Sequence, residues 1–498
     1  MTLSPWRRRL LIVSLFTVGF LGALDHTIVS TSLSTIAGEL GALEQLSWVV
    51  VSYTLAATVS LPILGTLADR VGARTVYLAS LAMFLLASIA CGFAPTIGVL
   101  AAARVAQGVS SAGLQLMGQT ILAEVTTPRE RPRVLSIVGG AFPVAIVVGP
   151  VLGGLISDHL GWPWVFWINV PLGVGALVLA LLAIPALARR PARGRFDLAG
   201  AVTFTAGLVA LVLAVTGSVQ AGVGPSTAIL VAISAVFFVA FFLIERRAAA
   251  PFLPLDIFRN RTVGGGIALS AIVGIGLFSV VAYIPTYIQM VYRTTATVSG
   301  LVPMAIVFGM LVASLTTGFL ASRSGRYRRF AIAGTVIATL GLAAMAALPP
   351  GSPLWLAMIV MGAVGIGTGA FSSLVVAVVQ SGVRPEQTGV ATATLNLVRQ
   401  VGATLGTAVI GAAIGIGVVA QLPAQLEAST LTPEAVRGLE PALQDQVAAA
   451  YDGVLSPVFA VLALVYALGI VAAVRLPAGR LANENRPESS PGTEPQTV

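Results

Sequence analysis

Fourteen long apolar runs follow one another along this 498-residue chain. They lie at 10–32, 46–67, 75–94, 97–120, 134–157, 164–187, 198–217, 227–244, 263–288, 300–321, 330–348, 354–379, 391–418 and 454–474, and are spans 1 to 14 below. A helix needs about 20 apolar residues to cross a hydrocarbon layer roughly 30 Å thick. Backbone polar groups inside lipid must be satisfied within the segment, so these runs predict helices and an all-α integral membrane fold. Composition agrees. Charged residues make up 9% of the chain, against about 25% in soluble proteins, which is too few to solvate a soluble surface. The 53 glycines suit helices that pack closely through small residues.

Arginine placement predicts the orientation. There is no Lys; all 28 basic residues are Arg. With an even number of spans both termini share a side, and that side holds 24 Arg in its tails and loops. The other side holds Arg293 and Arg437, and Arg104 and Arg399 lie inside spans. By the positive-inside rule both termini are expected in the cytoplasm, at the cell (inner) membrane. The first run follows Arg7-Arg8-Arg9 but contains Asp25 and lacks a small-x-small cleavage site, so it reads as a retained span. The 419–453 loop is acidic, and its Leu, Ala and Val pattern predicts a short surface helix. The tail at 477–498, rich in Pro, Glu, Ser and Asn, predicts disorder.

Residues that are scarce exclude whole function classes. Without Lys there is no Walker A motif and no Schiff-base or Ser–Lys chemistry. One Cys and two His make a soft-metal site improbable, so no metal and no cofactor is expected. The net charge of +9 resides in loop Arg residues and forms no stripe, which argues against nucleic acid. An enzyme would need a catalytic constellation that this chain lacks, so no catalytic residues are assigned.

An internal repeat sets the domain plan. GTLADRVGAR begins at Gly65 and GFLASRSGRY at Gly318, 253 residues later. The same shift aligns Arg131-Pro132 with Arg384-Pro385, and VGPVLGG at 148–154 with VGATLGT at 401–407. Spans 1–6 therefore correspond to spans 9–14 in the same orientation, as in transporters built from parallel repeats. The predicted units are a six-helix bundle at 1–190, a two-helix insert at 191–262, a second bundle at 263–476 and the tail.

Asp25 is the carboxylate that falls well inside a run. Burying an acid in a span is costly, so such a residue marks a functional site by default. Asp25 lies roughly 10 Å and Arg104 roughly 12 Å from the outer ends of spans 1 and 4, at 1.5 Å per residue. Ion pairing favours the charged carboxylate, and a movement that separates the pair favours proton uptake. The pair is therefore the candidate proton-coupling site, with His26 as a secondary candidate. A static ion pair joining two helices is the competing reading. Gln107 and Gln115 extend a polar stripe along span 4 into the cavity as candidate substrate contacts; hydrogen bonding between helices is the alternative. Tyr53, Phe142, Tyr283, Tyr287 and Trp48 are candidate aromatic lining, suited to flat, lipophilic and often cationic compounds. Trp48 could equally be an interface anchor. Asn396, Arg399 and Gln400 sit in the cytoplasmic third of span 13, where Asn396 is a candidate substrate-lining residue and Arg399 is expected to pair near a gate.

These residues also carry a family resemblance. GTLADRVGAR, LAAARVAQGVSSAG at 100–113 and VVGPVLGG at 147–154 resemble loop, span-4 and span-5 motifs of the major facilitator superfamily. LDHTIVSTSL at 24–33, WPWVFWINVPLG at 162–173, PFLPLDIFRNR at 251–261 and NLVRQVGATLG at 396–406 resemble its fourteen-span drug:proton antiporter branch. Ser30 departs from the Asn usual in that branch. The resemblance implies the major facilitator fold and multidrug efflux driven by the proton gradient. It also implies a cytoplasmic gate latch at Gly65, Asp69, Arg70, Gly72 and Arg74. The repeat copy has Ser322 in place of Asp69, so a charged latch is expected in the first half only. Gly149, Pro150, Gly153 and Gly154 are implied to seal an antiporter against proton leak; a plain helix-packing face is the alternative. The expected function is proton-coupled export of lipophilic, often cationic drugs, by a chain expected to be a monomer in lipid. The alternative is a narrow exporter of an endogenous metabolite, siderophore or antibiotic.

Overall fold

A computed structural model describes residues 4–40, 46–185, 197–221, 224–248, 260–384, 387–422, 426 and 433–481. Fourteen helices among them are long and apolar enough to cross a membrane. Spans 1 to 6 are Pro5–Val29, Trp48–Ala68, Ala73–Gly92, Ile97–Val125, Arg131–His159 and Pro163–Ala183. Spans 7 and 8 are Leu198–Val215 and Pro225–Glu245. Spans 9 to 14 are Arg261–Val291, Thr297–Ser324, Arg328–Ala346, Leu354–Gly382, Thr388–Gln421 and Pro441–Arg475. No strand occurs among the described residues, as expected where every backbone group must be satisfied locally. The tail beyond 481 and most of PFLPLDIFRNR lie outside the described residues.

The two six-span sets pack alike. Span 1 lies against spans 5 and 6, and span 4 against spans 2 and 3. Span 9 lies against spans 13 and 14, and span 12 against spans 10 and 11, in the same relation. Across the seam, span 2 meets span 13 and span 5 meets span 10, which is the exchange a pseudo-two-fold relation requires. Span 7 touches both span 2 and span 13, so the insert is applied at one seam. Span 8 packs on span 7, and only 11% of its most apolar stretch is buried, which fits a helix apolar all round and facing lipid.

Two local features depart from the simple pattern. Span 9 contains a π-helical turn at Gly274–Phe278, a distortion that tends to occur at functional sites. Span 14 begins at Pro441, thirteen residues before the apolar run. The expected short helix in this loop is present at Pro433–Arg437, and the residues after it continue into the span. The Ala-rich segment before the run propagates helix, and Val447 packs with Met290 and Val436. A second carboxylate, Asp452, is thereby placed inside a span, where it accepts a hydrogen bond from Tyr287 Oη at 2.8 Å.

Candidate transport site

Asp25 and Arg104 meet as an ion pair between spans 1 and 4, with side chains 0% and 1% exposed. Arg104 Nη1 donates to Asp25 Oδ2, and its Nε donates to the Val49 carbonyl at 3.2 Å. Asp25 Oδ1 accepts from Gln107 Nε2 at 2.8 Å and from Asn169 Nδ2 at 3.0 Å. Gln107 Oε1 in turn accepts from Arg104 Nη1 at 2.8 Å. Ser88 Oγ receives Gln107 Nε2 at 2.9 Å. The carboxylate is thus held by three donors from spans 4 and 6 in a fully buried network. Such a network is stable only while its members stay satisfied. The Tyr53 ring covers the Arg104 guanidinium at 4.1 Å and closes the site on one side.

The neighbouring face of span 4 has a different role. Ser111, Gln115 and Gln119 follow at four-residue steps and so share one helix face. Ser111 Oγ accepts from Tyr53 Oη at 2.7 Å. Gln119 Oε1 accepts from Asn396 Nδ2 of span 13 at 3.0 Å, and its carbonyl accepts from Gln380 Nε2 of span 12 at 3.1 Å. Gln115, between these two, is exposed. This face therefore looks toward the second half, with an open space at Gln115 and a polar closure below it. His26 is exposed, 6.1 Å from the Tyr53 ring. Phe142 is 37% exposed and stands 6.5 Å from Phe278 of span 9, across the seam.

The Arg-rich face is closed by contacts that repeat across the seam. A Cβ on Gly65 would lie 2.9 Å from Ala393 Cβ and 3.4 Å from the Gly389 carbonyl. A Cβ on Gly318 would lie 2.1 Å from Ser136 Oγ and 2.8 Å from the Pro132 carbonyl. Gly318 and Gly389 stand 253 residues after Gly65 and Ser136. The two glycines thus make the same close approach from opposite sides. Arg129 adds a bond from Nε to the Ser322 carbonyl at 2.9 Å, a cation at the C-terminal end of a helix, where the dipole favours it. Gly72 precedes span 3 with φ +93°, a backbone conformation that favours glycine. Arg70 and Arg74 are half-buried on the same face. The Asp69 side chain lies outside the described residues, as does that of Ser30.

In span 5, a Cβ at Gly149 would fall 2.0 Å from Thr27 Oγ1. Glycine there lets span 1 approach closely, and Thr27 Oγ1 donates to the Ala145 carbonyl at 3.3 Å. Pro150 lies within this helix and is exposed. Gly153 is buried, whereas Gly154 has open space where a Cβ would stand.

Three of the expected lining residues are placed elsewhere. Gln107 is 0% exposed because, three residues from Arg104, it shares that residue's face and turns to Asp25. Tyr287 is 0% exposed; it packs edge-on against Phe459 and donates to Asp452, inside the second bundle's core. Asn396 is buried in the closure. Tyr283 is half-buried and donates to the Thr407 carbonyl at 2.7 Å, joining spans 9 and 13. Trp48 is 48% exposed. Sequence reasoning missed Asn169, Ser88, Ser111 and Gln119. The available signal for Asn169 was an isolated amide in the apolar stretch WPWVFWINVPLG.

Residues 15–407 match the Major Facilitator Superfamily. The chain belongs to the major facilitator superfamily. It is 35% identical over 412 residues to an uncharacterised transporter of this type from Mycobacterium tuberculosis, covering 82% of this chain and 60% of that protein. It thus spans under two thirds of that relative's length. Multidrug transporter protein MdtP of Bacillus subtilis is 30% identical over 410 residues, covering 82% of this chain and 75% of the relative. Multidrug resistance protein 3 of the same organism is 31% identical over 396 residues, covering 78% and 76%. Among solved structures, a proton:xylose symporter of the superfamily matches with a TM-score of 0.63 at 11% identity, covering 96% of this chain and 97% of that one. The human organic anion transporter MFSD10 matches with the same score at 14% identity, covering 94% and 100%. At those identities the likeness concerns the fold. The chain is a multi-pass membrane protein of that superfamily.

Proposed function

We propose that this chain exports lipophilic small molecules from the cytoplasm in exchange for protons, with Asp25 as the proton carrier. The observation that carries the reading is the buried Asp25–Arg104 pair, ringed by Gln107, Asn169 and Ser88. Replacing a buried ion pair by well-packed apolar residues is often neutral or stabilising, so stability alone is a weak reason for one here. A carboxylate whose charge is balanced only while Arg104 stays in place is a group that can exchange a proton when the helices shift. Relatives named for multidrug transport support export as the direction.

In the proposed cycle the Arg-rich face is cytoplasmic and the closed state described above faces outward. Substrate occupies the space beside Gln115, Phe142 and His26. Movement of span 1 against span 4 parts Asp25 from Arg104, and the acid takes a proton. Reopening at Gly65 and Gly318 returns the carrier to the cytoplasmic side. Close glycine packing of span 5 on span 1 keeps water from crossing beside Asp25. Lipid is the solvent, and the chain works as a monomer.

The test is uptake into inside-out membrane vesicles with an imposed pH gradient. The probes are ethidium, chloramphenicol and fluorescein, one cationic, one uncharged and one anionic. Wild type is expected to accumulate at least one probe only with the gradient, and Asp25→Asn to lose that dependence. Gradient-dependent accumulation in Asp25→Asn at the wild-type rate removes Asp25 from the mechanism.

A further inference from the structure

Two amides share Asp25 Oδ1, and they are held differently. Gln107 is fixed at both ends. Its Nε2 donates to Asp25 Oδ1 at 2.8 Å and to Ser88 Oγ at 2.9 Å, and its Oε1 accepts from Arg104 Nη1 at 2.8 Å. Asn169 is fixed at one end. Its Nδ2 donates to Asp25 Oδ1 at 3.0 Å and to Ser88 Oγ at 3.4 Å. Its Oδ1 is buried and meets no donor among the described residues. A buried acceptor without a donor costs free energy and calls for an explanation. The sequence around it explains how Asn169 comes to be there. Pro171 lacks the N–H that would bond back toward Trp167. The helix of span 6 is interrupted at Ile168, between Pro163–Trp167 and Asn169–Ala183.

A carboxylate and a carboxylic acid ask different things of a neighbour. The carboxylate only accepts, whereas the acid has an O–H to donate. Oδ2 faces Arg104, so an arriving proton settles on Oδ1. There it meets Nε2 of Gln107 and Nδ2 of Asn169, both of them donors. Gln107 cannot reverse its amide without giving up Arg104. Asn169 can turn its amide end for end without breaking any bond to its oxygen, and then presents Oδ1 to the Asp25 O–H. Location adds to this. Arg104 and Gln107 both lie on span 4, whereas Asn169 lies on span 6, which packs along span 1. A shift of span 1 away from span 4 removes both span-4 partners and leaves Asn169 with the acid. The other titratable groups that feel the Asp25 charge are His26, Tyr53 and Cys91. Spans 5 and 6 present no titratable group within 141–157 or 163–183.

We infer that Asn169 is the positioning residue for the proton on Asp25: it donates to the carboxylate, accepts from the acid, and sets the pH at which one becomes the other. The inference deepens the export reading above, on which its part in transport rests. A bond to a charged acceptor is worth more than one between neutral groups, so losing both favours the acid. Removal of the Asn169 amide therefore moves proton uptake by Asp25 to higher pH, by about one unit.

The experiment titrates Asp25 in purified wild type, Asn169→Leu and Asn169→Asp in lipid nanodiscs. The label is dicyclohexylcarbodiimide, which reacts with the protonated carboxyl, and peptide mass spectrometry reads it at Asp25. No transported compound is needed. The midpoint is expected to rise by about one unit in Asn169→Leu. It should rise further in Asn169→Asp, which keeps the size of Asn and sets a second carboxyl against the first. The pH profile of gradient-driven uptake in the vesicles should move in step.

An amide that only holds span 6 in place would change stability or rate and leave the midpoint at the wild-type value. An unmoved or lowered midpoint in the variants therefore overturns the proposal. Should Asn169→Leu misfold, Asn169→Asp decides. A raised midpoint with no gradient-driven uptake in wild type would sink the export reading and leave the assignment of Asn169 standing. Gradient-driven uptake in wild type with an unmoved midpoint in the variants would do the reverse.

Discussion

Tyr53 and Ile306 stand 253 residues apart, and each presents its carbonyl to a glycine of the neighbouring helix. A Cβ on Gly108 would lie 2.3 Å from the Tyr53 oxygen, and one on Gly365 would lie 2.0 Å from the Ile306 oxygen. The two glycines stand 257 residues apart, about one helical turn off the 253-residue repeat, yet each meets the equivalent carbonyl, so the packing frame of the two halves is alike at this contact. Its contents differ. Four residues before Gly108 comes Arg104, and one before it Gln107, both buried and both bonded to Asp25. Four residues before Gly365 comes Met361, and one before it Val364, both 0% exposed in an apolar core. One half spends a buried position on an ionic network, while the other fills the matching position with hydrocarbon. The repeat thus supplies two bundles of like packing that meet at a seam, and the buried ionic network resides in the first.

The largest test of this contrast acts on stability. Arg104→Leu strands a buried carboxylate and is expected to cost about 3–5 kcal/mol, whereas the double replacement with Asp25→Leu should recover most of it. Met361→Leu, at the matching place in the second half, should cost under about 1.5 kcal/mol. Thermal unfolding of the purified proteins reads all three. Equal losses for Arg104→Leu and Met361→Leu would erase the distinction between the halves.

Next in size is the closure, where the halves behave alike but not identically. Gly318→Ala drives a methyl into the Pro132 carbonyl and Ser136, and Gly65→Ala drives one against Ala393. The first should shift the population toward the state open on the Arg-rich face by roughly tenfold, about 1.4 kcal/mol, and the second by less. Maleimide labelling of Gln119→Cys from that face reports the shift. The buried Cys91 keeps the background low.

The smallest expected effect belongs to Tyr53→Phe. It removes the bond to Ser111 but keeps the ring over Arg104, and should cost about 1 kcal/mol, seen as a several-fold change in transport KM. A loss as large as that of Asp25→Asn would make the hydroxyl part of the proton path.

Much of this organisation was legible in the sequence because hydrocarbon thickness imposes a length on every helix. The spans, the 253-residue repeat and the similar depth of Asp25 and Arg104 all follow from counting residues. What counting does not supply is rotational phase across helices. Asn169 and Ser88 complete the Asp25 network from spans 6 and 3, and an isolated polar residue in an apolar run does not announce which neighbour it faces. The same ambiguity put Gln107 and Tyr287 among the lining residues when packing turns both inward. Asp452 was read as a loop residue because hydropathy marks where lipid begins, not where a helix does; Ala-rich sequence carries span 14 outward past it. The π turn at Gly274–Phe278 is a tertiary accommodation between spans 9 and 13 with no local signature.

The central claim is that a carboxylate buried in the first half couples transport to protons. It is tested most directly in proteoliposomes holding wild type or Asp25→Asn, with two readings on each: accumulation driven by a pH gradient, and exchange of labelled for unlabelled substrate without one. The account predicts that Asp25→Asn loses gradient-driven accumulation roughly 100-fold while exchange persists, since proton transfer and the rocking of the halves are separate steps. Gradient-driven accumulation at the wild-type rate in Asp25→Asn would contradict it.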